Sequence, residues 1–253
     1  MEREAGHLIS VHRALDVLEA FTAETPEWGL SALSRELDLG KPTLHRVLKT
    51  LADRGYLQQD PSTRRYRLGF RLLETSQAVL VSTPTQAAEG HLRELAHRVG
   101  QQATLWVLDG DSAVCVLQVE GQQALGTHIR LGAREPALLL ASGRCLLAHL
   151  PESERLSSID GAAPNVERDL GKVRARGYAV SRGDRWADVS AVGAPVFDHA
   201  GACVAAIAVS APTSRFDAAA AADATEAVCA AARKTSHALG APGAERHWTA
   251  QAT

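Results

Sequence analysis

The feature that most constrains the fold of this chain is a basic segment at residues 41–71, where a helix pattern runs into a hairpin pattern. The segment holds eight Lys or Arg and two acids, a net charge of +6, in a chain whose formal charge is −2. Residues 1–40 hold three bases and eight acids. A compact island of positive charge on a helix and a hairpin is typical of proteins that bind double-stranded DNA.

The first half of the basic segment predicts a helix that starts near Pro42 and ends at Gly55. Its apolar side chains recur at helical spacing and form one stripe: Leu44, Val47, Leu48 and Leu51. The other side of the helix is polar, and we expect it to contact base edges and phosphates. These candidate DNA-binding residues are Lys41, Pro42, Thr43, His45, Arg46, Lys49 and Thr50.

The second half of the segment predicts a small wing. Residues 56–59 and 65–68 have strand character and flank a turn sequence at 60–63. This arrangement predicts that Arg64 and Arg65 lie at the tip of the wing, where they are further candidates for DNA contacts.

Two helix patterns precede the basic helix. In residues 10–21 one face carries Val11, Ala14, Leu15, Leu18 and Phe21, and in residues 30–37 Leu33 and Leu37 are expected to point inward. A short turn at residues 38–40 then leads into the basic helix. An isolated solvated helix would not need this order, which is that of a winged helix-turn-helix.

Length and composition predict a cytoplasmic protein of two domains. The chain has 253 residues, 45% of them hydrophobic. It lacks an apolar run of the ~20 residues that a transmembrane helix needs, and its N-terminus does not resemble a signal peptide. The four cysteines form no CxxC pair, as expected for buried thiols in a reducing compartment. We therefore expect no membrane partner.

The rest of the chain predicts an α+β domain. We place the winged helix-turn-helix domain at 1–68, a linker helix at 69–82, the second domain at 83–239 and a flexible tail at 240–253. The predicted helices of the second domain are 84–99, 142–150, 166–176 and 217–239, and the predicted strands are 103–108, 113–120, 125–131, 178–181, 191–197 and 203–210. Residues 72–253 carry 16 bases and 19 acids, which favours a small-molecule sensor over a second nucleic-acid domain.

Six stretches, in order, resemble the IclR family of bacterial transcription regulators over residues 8–239. They are SVHRALDVLEAF, LSRELDLGKPTLHRVLKTLADRGYL, RRYRLGFRLLE, GAREPALLLASGRCLLA, VRARGYAVSRGD and VGAPVFDHAGACVAAIAVSAP. The resemblance implies an N-terminal winged helix-turn-helix, a linker helix used in dimerisation, and a C-terminal effector domain of GAF-like fold (an antiparallel sheet flanked by helices). It also implies a dimer or a dimer of dimers whose affinity for an operator changes with a small-molecule effector.

The expected effector pocket departs from the family pattern because several polar positions are apolar here. Leu138 and Leu140 replace a polar ring and a hydroxyl, Ala191 replaces a cysteine and Ala208 replaces one of two serines, whereas Gly132 and Ser210 are kept. The predicted effector-binding residues are Trp106, His128, Gly132, Leu138, Leu140, Ser142, Ser181, Trp186, Asp188, Ala191, Ala208 and Ser210. An apolar pocket favours an aromatic or longer-chain acid, or an apolar metabolite, over a two- or three-carbon acid. Alternatively, the leucines are core residues and the pocket is vestigial.

Cys145 and His149 stand at i and i+4, the spacing of two metal ligands on a helix. An isolated pair of this kind is more often packing, so we expect no metal and no cofactor. A thiol beside a histidine also suggests a nucleophile and base, but no orienting third group or oxyanion motif accompanies the pair, and we expect no catalysis.

These patterns predict a ligand-responsive regulator that binds operator DNA, acts as a repressor and works in the cytoplasm. The alternative is an architectural DNA-binding protein whose C-terminal domain only oligomerises. An enzyme with an appended DNA-binding domain is disfavoured because a catalytic set is missing.

Overall fold

The computed structural model of the chain describes residues 8–81, 83–122, 129–163 and 165–242. The chain divides into two compact units, residues 1–79 and residues 80–253, and each has its own apolar core. His128, most of the strand predicted at 125–131 and most of the predicted tail lie outside the described residues.

In its described residues, the first unit contains three complete helices and a three-stranded antiparallel sheet of order β1-β3-β2. Its elements are α1 (Ile9–Glu19), β1 (Glu27–Trp28), α2 (Leu30–Glu36), α3 (Lys41–Asp53), β2 (Leu57–Gln59) and β3 (Tyr66–Leu68). The sequence did not predict β1. This strand is only two residues long and is held by its pairing with β3 and by the Trp28 indole Nε1, which donates to the Ala20 carbonyl at 2.8 Å.

The core of the first unit corrects the predicted face of α1. Val17 and Phe21 are buried, whereas Val11 and Leu15 are 51% and 49% exposed. Helical spacing identified an apolar stripe but did not reveal that Val17, on another side of the helix, meets the core. Leu33 of α2 is buried as expected.

Helix α4 (Arg71–Val81) spans the division between the units. It begins two residues later than predicted, because Leu68 pairs with Leu57 in the wing and the Gly69 amide donates to the Tyr56 carbonyl. None of its residues is buried. Leu73 is 62% exposed, and Phe70, just before the helix, is 68% exposed.

The second unit is a six-stranded antiparallel sheet with helices on both faces. Its helices are α5 (Thr85–Val99), α6 (Ala141–Ala148), α7 (Glu152–Ser158), α8 (Val166–Arg176) and α9 (Ala218–Ala238). Its strands are β4 (Ala103–Asp109), β5 (Ser112–Val119), β6 (Arg134–Pro136), β7 (Ala179–Arg182), β8 (Val189–Phe197) and β9 (Cys203–Pro212). The spatial order is β6-β5-β4-β9-β8-β7, and short 3₁₀ turns cover Ala137–Leu139 and Thr213–Arg215.

Alternating side chains of β9 separate two cores. Ile207 and Val209 belong to the core beneath α5 and α9, whereas Ala206 and Ala208 belong to the core beneath α6. The period of two along a strand sends neighbours to opposite faces of the sheet, so the second unit is a sheet between two helical layers. The predicted α+β fold class is confirmed.

Two elements of the second unit differ from the sequence prediction. The third strand is β6 at 134–136, which pairs with β5, and residues 129–131 are not a strand. The stretch expected to be irregular before α8 contains the seven-residue helix α7. Both elements are too short for periodicity to identify.

Candidate DNA-binding face and effector cavity

Helix α3 presents a polar side to solvent and an apolar side to its own unit. Leu44 and Leu48 are fully buried. The side chains of the predicted DNA-binding set on this helix are exposed except that of Thr43, which is partly buried: Lys41, Pro42, His45, Arg46, Lys49 and Thr50. The helix therefore has the polarity of a recognition helix, anchored by leucines and open on its charged side.

The exposed side of α3 is bordered by two grooves. His45 lines one of them together with Arg64 of the wing and the start of α2. Arg46, Thr43 and Thr50 line the other, which lies between α3 and α1. His45 and Arg46 thus flank one ridge, and the wing stands beside the His45 flank.

The wing turn is held by Asp60. Its carboxylate accepts hydrogen bonds from the Ser62 hydroxyl at 2.6 Å and from the backbone N–H groups of Ser62 and Thr63, both at 2.8 Å. The Ser62 hydroxyl and these amide bonds lower the pKa of Asp60 to about 2. The turn ends at Arg64, an exposed residue with a φ of 58°.

Two predicted DNA contacts already have protein partners. The Arg65 guanidinium lies on β1, where it donates to the Glu27 carbonyl at 3.1 Å and has Nε 3.6 Å from the Glu27 carboxylate. Lys49 donates to Asp53 at 3.0 Å, with both side chains well exposed. The structure thus places Arg64, rather than Arg65, at the end of the turn, and a phosphate would compete with Asp53 for Lys49.

The second unit encloses a cavity on the α6 side of its sheet. Ser181, Ala191 and Ser210 are side by side on β7, β8 and β9, because Ala191 is in register with both serines. Ala208 and the almost fully buried Trp106 extend this floor. The Trp106 indole N–H donates to the Thr104 hydroxyl at 2.9 Å, so its ring offers the cavity an apolar surface.

The N-terminus of α6 forms one wall of the cavity. Leu140, Ala141 and Ser142 line it, and the helix has no side-chain cap. Free N–H groups and the positive end of the helix dipole favour an acceptor or negative charge at such a terminus. Gly193 permits this close packing, because a Cβ there would lie 2.7 Å from the Ser142 amide nitrogen.

A loop between β7 and β8 forms another wall of the cavity, and two ion pairs hold it in place. Arg185 and Trp186 of this loop line the cavity. Arg185 Nε lies 2.5 Å from a carboxylate oxygen of Glu135 on β6, and Asp184 pairs with Arg144 of α6 at 2.9 Å. The Arg185 guanidinium carbon also lies 5.1 Å from the centre of the Trp186 ring.

The structure brings most of the predicted effector residues together. Those that line the cavity are Trp106, Leu140, Ser142, Ser181, Trp186, Ala191, Ala208 and Ser210. Gly132, Leu138 and Asp188 do not line it. Gly132 is exposed in a turn. The Leu138 carbonyl accepts a hydrogen bond from Arg144 Nε at 2.7 Å. Asp188 is exposed, and its carbonyl accepts a hydrogen bond from the Thr213 amide.

Five further residues line the cavity and were not predicted: Ile129, Leu139, Ala141, Arg185 and Val189. A 3₁₀ turn at residues 137–139 exposes Leu139 to the cavity in place of Leu138. The loop conformation directs Arg185 to the cavity and leaves Asp188 outside. The prediction that Trp186 lines the cavity drew attention to this loop. A loop has no periodicity, however, so the sequence could not show that the Arg185 side chain also faces the cavity.

Cys145 and His149 have separate partners. The Cys145 thiol is buried and lies 3.2 Å from the Gly193 carbonyl, and burial raises its pKa well above the usual value. His149 Nδ1 lies 2.8 Å from the Cys145 carbonyl, and its ring packs against Phe197. Across the described ranges, no three His, Cys, Asp or Glu side chains are grouped as a metal site would require.

These features define a class of protein: a transcriptional regulator with a winged helix-turn-helix and a separate effector domain. Residues 10–61 match the family profile described as the IclR helix-turn-helix domain, and residues 77–237 match that described as the bacterial transcriptional regulator IclR C-terminal domain. The chain belongs to the IclR family.

Individual relatives agree with this assignment. The chain is 35% identical to the HTH-type transcriptional regulator XynR of Escherichia coli, over 92% of this chain and 98% of that protein. Its fold matches the crystal structure of IclR from Thermotoga maritima with a TM-score of 0.79 and 25% identity, over 92% of this chain and 100% of the other. An IclR homologue from Microbacterium hydrocarbonoxydans, solved with 4-hydroxybenzoate, matches in fold with a TM-score of 0.78 and 23% identity, over 91% and 98% of the chains.

The protein is therefore a transcriptional regulator, not an enzyme, and its partners are DNA and a small-molecule effector. Among the described helices, none is long and apolar enough to cross a lipid bilayer.

Proposed function

We propose that this protein is a repressor that binds operator DNA as a homodimer or dimer of dimers, and that it responds to an acid with an aromatic or other apolar body. The observation that carries the effector class is the lining of the cavity. Two indole rings and several aliphatic side chains surround it, and three serines are its uncharged polar side chains.

The distribution of these groups supports an apolar ligand body with a polar substituent at its inner end. Ser142, Ser181 and Ser210 are buried, and Ser142 stands at the uncapped N-terminus of α6. A ring stacked on Trp106 can direct a hydroxyl or keto oxygen toward these donors. A two- or three-carbon acid would leave much of the apolar lining without contact, which lowers the favourable free energy of binding.

The DNA-binding surface consists of the exposed side of α3 and the tip of the wing. Arg46, His45 and Lys49 are proposed to enter the major groove, and Arg64 to contact the backbone or the minor groove, supported by Lys41, Pro42, Thr43, Thr50 and Arg65. A protein that binds operator DNA works where the chromosome is, which supports a cytoplasmic location. Repression is proposed because it requires only occupation of the operator.

Dimerisation is supported by apolar surface that the first unit leaves uncovered. Val11 and Leu15 of α1 border the groove that α1 forms with α3. Phe70 and Leu73, at the start of α4, are more than 60% exposed. Large apolar side chains exposed in this way are typical of interaction sites. A two-fold dimer would set two α3 helices about 34–36 Å apart, one turn of DNA.

The effector class is tested by thermal-shift screening of the whole protein. We expect stabilisation by benzoate, 4-hydroxybenzoate and phenylacetate, and none by glyoxylate or pyruvate at the same concentration. The 4-hydroxybenzoate complex of the Microbacterium homologue suggests this compound as the first probe. Stabilisation by glyoxylate alone would contradict the proposal, and no response to any small molecule would favour the architectural alternative.

The DNA-binding surface is tested by Arg46→Ala on an operator recovered by selection from random duplexes. If Arg46 reads a base, we expect a loss of affinity of about 1–3 kcal/mol for the operator and a smaller loss for random DNA. Arg93→Ala, which removes an exposed arginine of α5 in the second unit, is the matched control. Equal losses on both DNAs would show that Arg46 contacts only phosphate.

A further inference from the structure

We propose that Arg185 binds the carboxylate of the effector, and that Glu135 takes the place of this carboxylate while the cavity is empty. The inference rests on the proposed function, and it assigns both the orientation of the ligand and the residue that distinguishes an acid from a neutral analogue.

Arg185 is the charged side chain that the cavity offers to a ligand. Among the described residues that line the cavity, all others are apolar or serine. Its guanidinium is a planar donor that matches a carboxylate in geometry as well as in charge. Arg185 is part of the loop wall, whereas Ser142 is at the start of α6 and Ser210 is on the sheet floor. An aromatic acid would therefore point its carboxylate at the loop and its other polar group at the serines.

In this structure Arg185 already forms an ion pair with Glu135. The carboxylate lies 2.5 Å from Arg185 Nε, and its side chain is only 16% exposed. It comes from β6 and does not line the cavity. The pair therefore joins the loop to β6 from outside the cavity and fixes the closed position of Arg185.

The closed cavity is too small for the ligand. Its volume is about 20 Å³, room for about one water molecule, whereas ligand sites are typically ~300 Å³ or larger. The floor and the start of α6 are packed by close backbone contacts at Gly193, so we assign the opening of the cavity to the loop. Its displacement separates Arg185 from Glu135.

Separating the pair leaves the largely buried Glu135 carboxylate and the more exposed Arg185 guanidinium without their partners, which is costly mainly for the buried group. An effector carboxylate restores the ion pair, and a neutral amide of the same shape does not. Charged hydrogen bonds of this kind predict that the acid binds roughly 10- to 100-fold more tightly than its amide. The ion pair thus keeps the empty cavity closed and selects for an anionic ligand.

The experiment compares benzoate, 4-hydroxybenzoate and phenylacetate with their amides by calorimetry on the whole protein. In Arg185→Gln we expect the preference for acid over amide to disappear. In Glu135→Gln we expect the acids to bind more tightly than in the wild type, because they no longer displace a competing carboxylate. Arg182→Gln is the matched control: it removes an equal charge from an exposed position on β7 that does not line the cavity, and it should keep the preference.

The outcomes separate the two proposals. Binding of acids that Arg185→Gln leaves unchanged overturns the assignment of Arg185 but not the effector site. If the wild type binds none of these compounds, acid or amide, the proposed effector class fails and the inference fails with it.

A second measurement tests the ion pair without a ligand. Glu135→Gln should increase acrylamide quenching of tryptophan fluorescence, because Trp186 is part of the released loop. The increase should vanish when Trp186→Phe is added. Quenching that Glu135→Gln leaves at the wild-type level would show that the pair does not hold the loop closed.

Discussion

Leu48→Ala should destabilise the first unit without removing a side chain that is proposed to contact DNA. Leu48 is fully buried in the core formed with Val17, Phe21, Leu33 and Leu44. Replacing a buried leucine by alanine costs about 2–5 kcal/mol. A unit of 79 residues has a free energy of unfolding of about 4–12 kcal/mol at typical values per residue. The substitution therefore removes a large part of the stability of the first unit.

Hydrogen exchange resolved by peptide is the appropriate assay because it reports on each unit separately. We expect core amides of the first unit to exchange roughly 30-fold to several thousand-fold faster, from the same 2–5 kcal/mol. Peptides of α5, α9 and the large sheet should be unchanged. Unchanged exchange in α3, or equal acceleration in both units, would refute the reasoning that the first unit depends on its own core.

DNA binding distinguishes this variant from Arg46→Ala. Leu48→Ala should lose operator affinity increasingly on heating and regain it on cooling, because the loss arises from unfolding. Arg46→Ala should lose affinity at every temperature and show wild-type exchange, because Arg46 is exposed and is not part of the core.

Two further substitutions test local packing and charge. Gly193→Ala places a Cβ 2.7 Å from the Ser142 amide nitrogen and should lower the thermal midpoint of unfolding. In Gly90→Ala on α5 the new Cβ meets nothing within 4 Å, so this variant should stabilise the protein by about 0.5–1 kcal/mol. The pKa of Asp60 is lowered to about 2, so its stabilisation of the wing is present above about pH 4 and is lost as the pH falls toward 2. An NMR titration should show this midpoint, and Asp60→Ala should speed exchange of the Thr63 amide at neutral pH.

The parts of the fold that the sequence predicted best are those with long, regular patterns. Helix α8 has the predicted bounds, and α3, β4, β5 and the β8–β9 hairpin lie within two residues of theirs. Short elements were missed because their residues carry no period. β1 exists through its pairing with β3, and β6 replaces a strand expected nearer residue 125.

The orientation of side chains was harder to predict than the elements themselves. Val11 and Leu15 share an apolar face, yet that face is exposed and Val17 is buried. Sequence spacing identifies a face but not the surface that it meets. We attribute the exposure of Val11 and Leu15 to a partner subunit, which is a proposal that sedimentation of the protein and of Leu15→Glu can test.

For the cavity, too, residues on regular strands were easier to predict than residues in loops. Residues on regular strands, such as Ser181 and Ser210, were placed correctly because register and alternation fix their direction. In the loop the result is mixed: Trp186 lines the cavity as expected, but Arg185, which was not predicted, lines it as well, and Asp188 does not. The group to which we assign recognition of the acid therefore required the structure.

The most direct test of a ligand-responsive regulator is fluorescence anisotropy of the whole protein on its selected operator, with and without the acid that stabilises it most. Coupling between an effector and DNA is typically 1–3 kcal/mol, so we expect the Kd for the operator to rise about 5- to 150-fold, as release of a repressor requires. An operator Kd that stays constant at an acid concentration that saturates the effector domain would contradict the account.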